Sequence, residues 1–454
     1  MRLRSTLLAA FGFAIIAASV GAFLLEASYM CQDVPFIDDW NFVHLLKAFI
    51  NHQIGWRYFI TRYNGHPFLL ARTAVVLDWR FASLDMALLH WCTIIVMLLA
   101  AILLGARLAF DLVKSKTGWK PAGAIMLAAP AFALALSLGQ WENLSVATAI
   151  DNAAVNLFLL LAVIMIDCWV RTNRGIFLIT AMVSAIVCSM TVLQGMLVWP
   201  ALIGIVLLGG VTRRRLLVSA AFLAVFLGLA AMSFTHVPRE TFVFALLPLL
   251  LGNLILAGST YVGQIHNHPV LSLDVAVGAL SWTLTALAVL LYWRAPTDMR
   301  ARMNKYAVLV GFGMATSLMI EIGRLSMSME TMAASRYINA MMPWAWGLYG
   351  VLTLGMRSSY WACAIAGVQI AAVVIAVAIA DFEELQIAPS RREDSLHQIE
   401  VLRDGKGLDD RSILGSVFYM DRPNGYMVAA GRAFLFENRL SLFRPGAADA
   451  AGSN

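Results

Sequence analysis

Three carboxylates stand close together in the stretch "DVPFIDDW" (33–40), which directly follows the first long apolar run of the chain: Asp33, Asp38 and Asp39. A carboxylate held at a lipid–water boundary can take the proton from an acceptor hydroxyl as a general base. The same residues also have a plain architectural use. Asp38 or Asp39 can cap the helix expected to begin at Trp40 by accepting its free N–H groups. Capping accounts for one carboxylate and leaves the others unexplained.

Three further polar groupings bear on that choice. In "YNGHPFLLAR" (63–72), Asn-Gly signals a turn and Pro67 suits the first position of a helix. Asn64, His66 and Arg72 are either turn residues in water or the wall of a polar pocket shared with the Asp pair. In "LGQWENLSVATAID" (138–151), Gln140, Trp141, Glu142 and Asn143 offer the stacking and hydrogen-bonding groups that sugars use, and Asp151 follows about two turns on. Trp141 alone would be an ordinary interfacial aromatic. Glu142 falls at the end of an apolar span, where a charge is costly unless it reaches water or a partner. In "GRLSMSMETMAASRY" (323–337), Arg324 and Arg336 mark the ends of two consecutive spans. They either snorkel or bind a phosphate, whose geometry a guanidinium matches in bidentate fashion. The histidines of "HNH" (266–268) are read as interfacial polar residues rather than metal ligands.

The elements that must position these groups are set by composition. The 454 residues are 60% hydrophobic and 13% charged, with a mean hydropathy of +0.76. Repeated long uncharged runs make this an all-α polytopic membrane protein. The pI near 9.1 does not point to nucleic acid, because the basic residues cluster in short loops between apolar runs and no nucleic-acid-binding module is visible. Five cysteines without a CxxC spacing indicate neither a disulfide framework nor a zinc site. The N-terminal run, Leu7 to Leu25, is long enough to span and ends in no small-x-small cleavage site, so it is read as a retained first helix rather than a signal peptide.

Apolar spans are expected near 7–25, 86–104, 121–138, 149–166, 176–192, 196–211, 216–234, 271–293, 306–321, 338–356 and 360–380. The segment 241–263, with internal Pro248 and Gly252, is read as re-entrant or interfacial. If it crossed, "RAPTDMRARMNK" would move outside, against the positive-inside rule. About eleven transmembrane helices result, with the N-terminus in the cytoplasm. The first loop (26–85), 139–151, 323–337 and the region after Asp381 then share the extracytoplasmic side. "WNFVHLLKAFI" and "PFLLARTAVVLDW" read as amphipathic helices lying on the membrane surface. The chain divides into a transmembrane domain (1–380) and a small extracytoplasmic C-terminal region (381–454), where "DRPNGYMVAAGRAFLF" reads as a turn between short strands.

Taken in order, "DDW", "NGHPFLLAR", "GQWEN" and "SRY" resemble the pattern of a bacterial group within the GT-C superfamily of polytopic glycosyltransferases. The resemblance covers residues 1 to about 380 and rests on the combination, since each motif is short. One departure is Pro67 after His66, where the group commonly has Arg. The resemblance implies a GT-C-like fold in the bacterial cytoplasmic (inner) membrane. It also implies transfer of a sugar from a polyprenyl-phosphate-linked donor to a glycan or lipid acceptor on the extracytoplasmic face. By motif position, Asp38 or Asp39 would be the base, with Asp39 preferred because it directly precedes Trp40. Arg324 and Arg336, with Tyr337 of the last motif, would hold the donor phosphate. Some members of the superfamily use a divalent metal (Mg or Mn) held by loop acids, for which Asp38 and Glu142 are the candidates.

Two readings of other classes compete: a lipid or glycan transporter or flippase, and a non-catalytic assembly factor. Transporters place ionisable residues and broken helices near the bilayer midplane. Here the acids gather at span ends, which favours the enzyme.

Overall fold

A computed structural model describes residues 2–60, 62, 66–115, 119–234, 246–263, 270–324, 329–355, 360–406, 408, 414–415 and 422–445. Asn64, the "HNH" stretch and the last residues of the chain lie outside them. All regular structure among the described residues is helical, and seven segments are long and apolar enough to cross a membrane: Ser5–Met30, Met86–Lys114, Pro121–Ser145, Ala147–Thr172, Arg213–Met232, Leu271–Arg294 and Thr297–Arg324. This is an all-α, multi-pass membrane protein. Helices prevail because lipid offers no partner to a bare peptide group, so each span must close its own hydrogen bonds.

The helices that concern the site are α1 (Arg2–Met30), α2 (Asp39–Ile50), α3 (Arg57–Ile60), α4 (Leu69–Ala82), α5 (Met86–Lys114), α6 (Pro121–Ala135), α7 (Trp141–Ser145), α8 (Ile150–Thr172), α9 (Gly175–Ser189), α10 (Val198–Leu208) and α11 (Arg213–Phe234). After them come α12 (Leu246–Val262), α13 (Leu271–Arg294), α14 (Thr297–Arg324), α15 (Met329–Met332), α16 (Ser335–Gly355), α17 (Tyr360–Asp404) and α18 (Arg422–Glu437). α16 is the axis of the body: apart from Arg336 and Tyr337 at its start, its side chains are buried throughout. α12 is one unbroken helix, with Pro248 in its first turn and residues 255–260 all buried. Its second half therefore packs inside the body, while Leu246, Leu247 and Leu250 of its first half stay exposed. It runs antiparallel to α13 at very short range. A Cβ on Gly258 would strike the Asp274 carbonyl, and one on Gly278 the Leu254 carbonyl, so both helices need glycine to pack this closely.

Arg107 and Lys305, outside the expected spans 86–104 and 306–321, lie inside α5 and α14. There they form an ion cluster with Asp111 and Asp167. Arg107 Nε is 3.0 Å from Asp111, its Nη2 is 3.0 Å from Asp167, and Lys305 Nζ is 3.0 Å from Asp111 and 3.5 Å from Asp167. Tyr306 donates to Asp111 at 3.0 Å, and Arg171 closes on Asp167 at 3.0 Å.

The C-terminal region departs from expectation in two ways. α17 runs unbroken for 45 residues, straight across position 380. Residues 422–437 form a helix, not strands around a turn. The reason is burial. Val428, Phe434 and Leu435 of α18 join Trp40, Val43 and Leu46 of α2 and Val75 of α4 in a second apolar cluster, and Gly431 lets α18 approach until its Cβ position is 2.8 Å from the Trp40 ring. The first-loop helices thus bury their apolar faces against the C-terminal region. Polar bonds fasten the two together: Arg444 pairs with Asp85 at 2.6 Å and Asp33 at 3.3 Å, and Ser441 donates to Asp33 at 3.0 Å.

Candidate functional site

Between α6 and α8 the helical path breaks. Ala135 ends one helix, a 3-10 turn covers Leu138–Gln140, α7 lasts five residues, and a second 3-10 turn covers Ala147–Ala149 before α8 begins. Nearly all of this segment is buried, so its free backbone N–H groups need partners from the protein. Distant segments supply them. Asp381 of α17 accepts from Leu138 N–H at 2.8 Å. Ser335 Oγ accepts from Glu142 N–H at 2.9 Å. Asp39 accepts from Ala147 N–H at 3.0 Å, Thr148 N–H at 2.9 Å and the Thr148 hydroxyl at 2.7 Å.

This separates the two adjacent carboxylates. Asp39 is fully buried and also accepts from its own Phe36 N–H at 3.0 Å. Four donors occupy the roughly four lone-pair sites of a carboxylate, so Asp39 has none left for a substrate. This geometry weighs against Asp39 as a base. Asp39 does cap, but it caps the broken segment and not its own helix, since none of its donors lies in α2. Asp38, one residue earlier, is half-buried and makes no side-chain cap bond to α2. Burial pushes its carboxyl above the ordinary carboxylate range, with Arg336 opposing, Asp39 and Glu142 adding to the rise, and Arg324 opposing again. Asp38, Glu142, Arg324 and Arg336, drawn from three separate stretches, therefore share one electrostatic neighbourhood.

Glu142 and the start of α16 are joined directly. Glu142 Oε2 lies 3.2 Å from Arg336 Nε and accepts Arg336 N–H at 3.0 Å. Asn143 donates its side-chain amide to the Arg336 carbonyl at 3.3 Å. Behind it, a run of amides crosses the body: Asn152 donates to Asn143 Oδ1, Asn339 to the Asn152 carbonyl, and Asn156 to Asn339. The Arg336 guanidinium lies 6.0 Å from the centre of the Tyr337 ring. The "GQWEN" and "SRY" motifs thus dock on each other.

His66 belongs to the same neighbourhood. Leu193 N–H donates to its Nδ1 at 2.8 Å, so in the neutral ring Nε2 carries the proton as a donor. Burial, with Arg324 and Arg62 acting in the same direction, lowers its pKa to about 4. The ring is held neutral. The segment that bears it is tied down by Phe68 N–H to the Thr191 carbonyl (2.8 Å) and Leu69 N–H to the Met190 carbonyl (3.0 Å).

Other expected site residues have architectural roles. Arg72 is fully buried and donates to the Tyr58 carbonyl at 2.5 Å, holding α3 to α4. Gln140 is fully buried and donates to the Ala135 carbonyl at 3.1 Å. Asp151 accepts from Ala71 N–H at 2.7 Å and Leu70 N–H at 3.3 Å, capping α4 instead of facing a cavity. Trp141 is covered on one face by Arg391, whose guanidinium carbon sits 3.8 Å from the ring centre. Arg391 is itself gripped by Glu384 at 2.5 Å and Glu26 at 3.6 Å. With Trp141, Glu142, His90, Asp394 and Gln398 it lines a cavity of about 290 Å³. Asp38, Arg324 and Arg336 are not in that lining. Sequence reasoning missed Arg391 because it treated everything past 380 as an appendage. Its signal was the stripe of charges continuing an apolar span.

Asp38 and Glu142 do not fit a divalent ion. Glu142 is already engaged twice by Arg336, and two arginines act on Asp38. Among the described residues no group of three or more His, Cys, Asp or Glu side chains is placed to hold a metal.

Fold and site together define a helical membrane protein with a charged site at the ends of its spans. No protein-family model matches the chain, and neither does any curated protein or solved structure.

Proposed function

We propose that this protein is a polytopic glycosyltransferase that moves a sugar from a polyprenyl-phosphate-linked donor to a glycan or lipid acceptor. In this reading eleven spans cross the bacterial inner membrane, the N-terminus is cytoplasmic, and the site opens on the extracytoplasmic face. The supporting observation is the shared electrostatic neighbourhood of Asp38, Glu142, Arg324 and Arg336. Asp38 is the base. It takes the acceptor hydroxyl proton as that oxygen attacks the anomeric carbon, while the bond from that carbon to the phosphate oxygen breaks. The polyprenyl phosphate leaves with the electron pair, and Arg324 and Arg336 balance its charge. Glu142 engages Arg336 at Nε, which leaves the Nη edge for the phosphate. The neutral His66 adds a donor from Nε2. No step passes through a metal.

Placement of the buried charges favours this over transport. Glu26, Asp151, Asp274 and Glu321 each lie within about two turns of a helix end, whereas a transporter gathers such groups at midplane. The test is a deletion strain complemented with wild type, Asp38→Asn or Asp39→Asn, read by lipid-linked sugar and glycan analysis. Accumulated polyprenyl-phosphosugar with Asp38→Asn supports transfer. Unchanged pools with a well-expressed Asp38→Asn protein overturn it.

A further inference from the structure

A second cavity, of about 540 Å³, lies where α1 ends, α5 begins and α17 leaves the helical body. Its polar wall carries Arg392 and Arg403 of α17 and Arg444 of the C-terminal segment, and its apolar wall carries Trp91, Leu396 and Ile399. Asp33 and Asp85 also line it, and both sit on Arg444. The lining thus gathers three arginines and two aspartates. On α17 the spacing 392, 396, 399, 403 places all four residues along one helix face.

Trp91 of the cavity wall also belongs to an apolar rail on α5. Leu88, Trp91, Ile95, Leu99 and Ile102 recur at helical spacing on α5 and are 46%, 37%, 53%, 48% and 54% exposed. From Trp91 to Ile102 the rail runs about 16 Å at 1.5 Å per residue. One leaflet of hydrocarbon is about 15 Å deep, half of a bilayer core. The two ends of α1 and α5 that flank the cavity are ends of candidate spans, which puts the arginines at headgroup level and the rail beside acyl chain. An interfacial tryptophan stands where the two meet, as amphipathic rings do at that depth.

We infer that this cavity is a binding site for an anionic phospholipid, its phosphate among Arg392, Arg403 and Arg444 and one acyl chain along the α5 rail. Basic pockets between membrane helices hold phosphate headgroups by this logic. Asp38, Arg324 and Arg336 are not in the lining of this cavity, and the inference does not depend on the transfer reaction. It also gives the C-terminal segment a second role, since Arg444 both fastens that segment to the first loop and lines the headgroup wall.

The test uses the purified full-length protein in neutral detergent, titrated with short-chain phosphatidylglycerol, with phosphatidylcholine of the same chains, and with inorganic phosphate. Phosphatidylglycerol is expected to bind more tightly than phosphatidylcholine, and inorganic phosphate is expected to compete poorly because it lacks the chain. Arg392→Gln should weaken phosphatidylglycerol binding about fivefold, and Arg392→Gln with Arg403→Gln roughly twenty- to thirtyfold. Trp91→Ala should weaken both lipids alike. Arg392→Lys keeps the charge and should retain most of the affinity, which separates loss of the site from loss of the fold. Equal binding of the two lipids by wild type would overturn the inference, as would a double arginine variant that binds like wild type. Inorganic phosphate displacing the lipid at matched concentration would also overturn it by making the site one for a soluble anion. None of these readings involves sugar transfer, so failure here and failure of the Asp38 experiment are distinct results.

Discussion

Glu142 holds Arg336 through both its side chain and its backbone: the same oxygen, Oε2, lies 3.2 Å from Nε and accepts the main-chain N–H at 3.0 Å. A single carboxylate thereby fixes the first turn of α16 against the broken segment between α6 and α8. Arg336 is 46% exposed in its side chain, against 16% for Glu142. The inner partner is the anchor, and the outer one is presented to whatever enters the site.

The Asp38–Asp39 pair should separate cleanly on substitution. Asp38→Asn is expected to fold normally and to lose sugar transfer. Asp39→Asn replaces an acceptor of four hydrogen bonds with a group that is half donor, at a cost of about 1 to 3 kcal/mol for the buried N–H groups left unmet. Fluorescence-monitored unfolding in detergent should show a lowered midpoint for Asp39→Asn alone.

The pH dependence of transfer should report Asp38. The base must be ionised, and its carboxyl lies above the ordinary range, so the acid limb of the rate profile should fall above that of a free aspartate. Arg324 opposes the rise. Arg324→Gln should therefore move the limb to higher pH, apart from any change in maximal rate. A limb that stays fixed would remove Arg324 from this neighbourhood.

Stability should carry the signature of His66. Its pKa drops on folding from 6.5 to about 4, so between these values the unfolded chain binds the extra proton. Stability must then rise with pH across that window and lose the contribution as pH falls through it. Unfolding midpoints measured from pH 4 to 7 should show this slope, and His66→Gln should flatten it.

At the other end of the body, Lys305 is 1% exposed between Asp111 and Asp167. Lys305→Met leaves buried carboxylates short of a counter-charge, which should cost about 3 to 5 kcal/mol. Arg171 joins the same cluster but is 32% exposed, and Arg171→Met should cost no more than about 1 kcal/mol. Similar losses for the two would mean that burial does not set their weight.

Gly431 tests how the C-terminal region meets the first loop. A Cβ there would stand 2.8 Å from the Trp40 ring, so Gly431→Val should push α18 off α2. Limited proteolysis should then cut within residues 51–60 faster than in wild type.

The helices were legible because their cause is local. A long apolar run in lipid has one way to close its backbone hydrogen bonds, and seven of the expected spans correspond to helices long and apolar enough to cross. The polar motifs were legible for the same reason, since charge at the end of a greasy run stands out. The pairing of those motifs was not. Asp38 and Asp39 differ by one step of backbone, and that step decides which meets the Thr148 N–H. The stretch 422–437 was misread because Asn-Gly is a turn signal on its own, whereas helix was selected by Trp40, nearly four hundred residues earlier.

Composition and hydrophobic pattern by themselves determined the class of this protein: a bundle of helices in a membrane with its reactive-looking residues at span ends. Those properties follow from each segment's own free energy in lipid. Only the tertiary structure decided that Asp39 serves the backbone while Asp38 stays available, that Glu142 belongs to Arg336, and that Arg391 covers Trp141. Each depends on which distant groups share the same few ångströms, and hydrogen bonds and ion pairs are too short-ranged to be read from one segment alone.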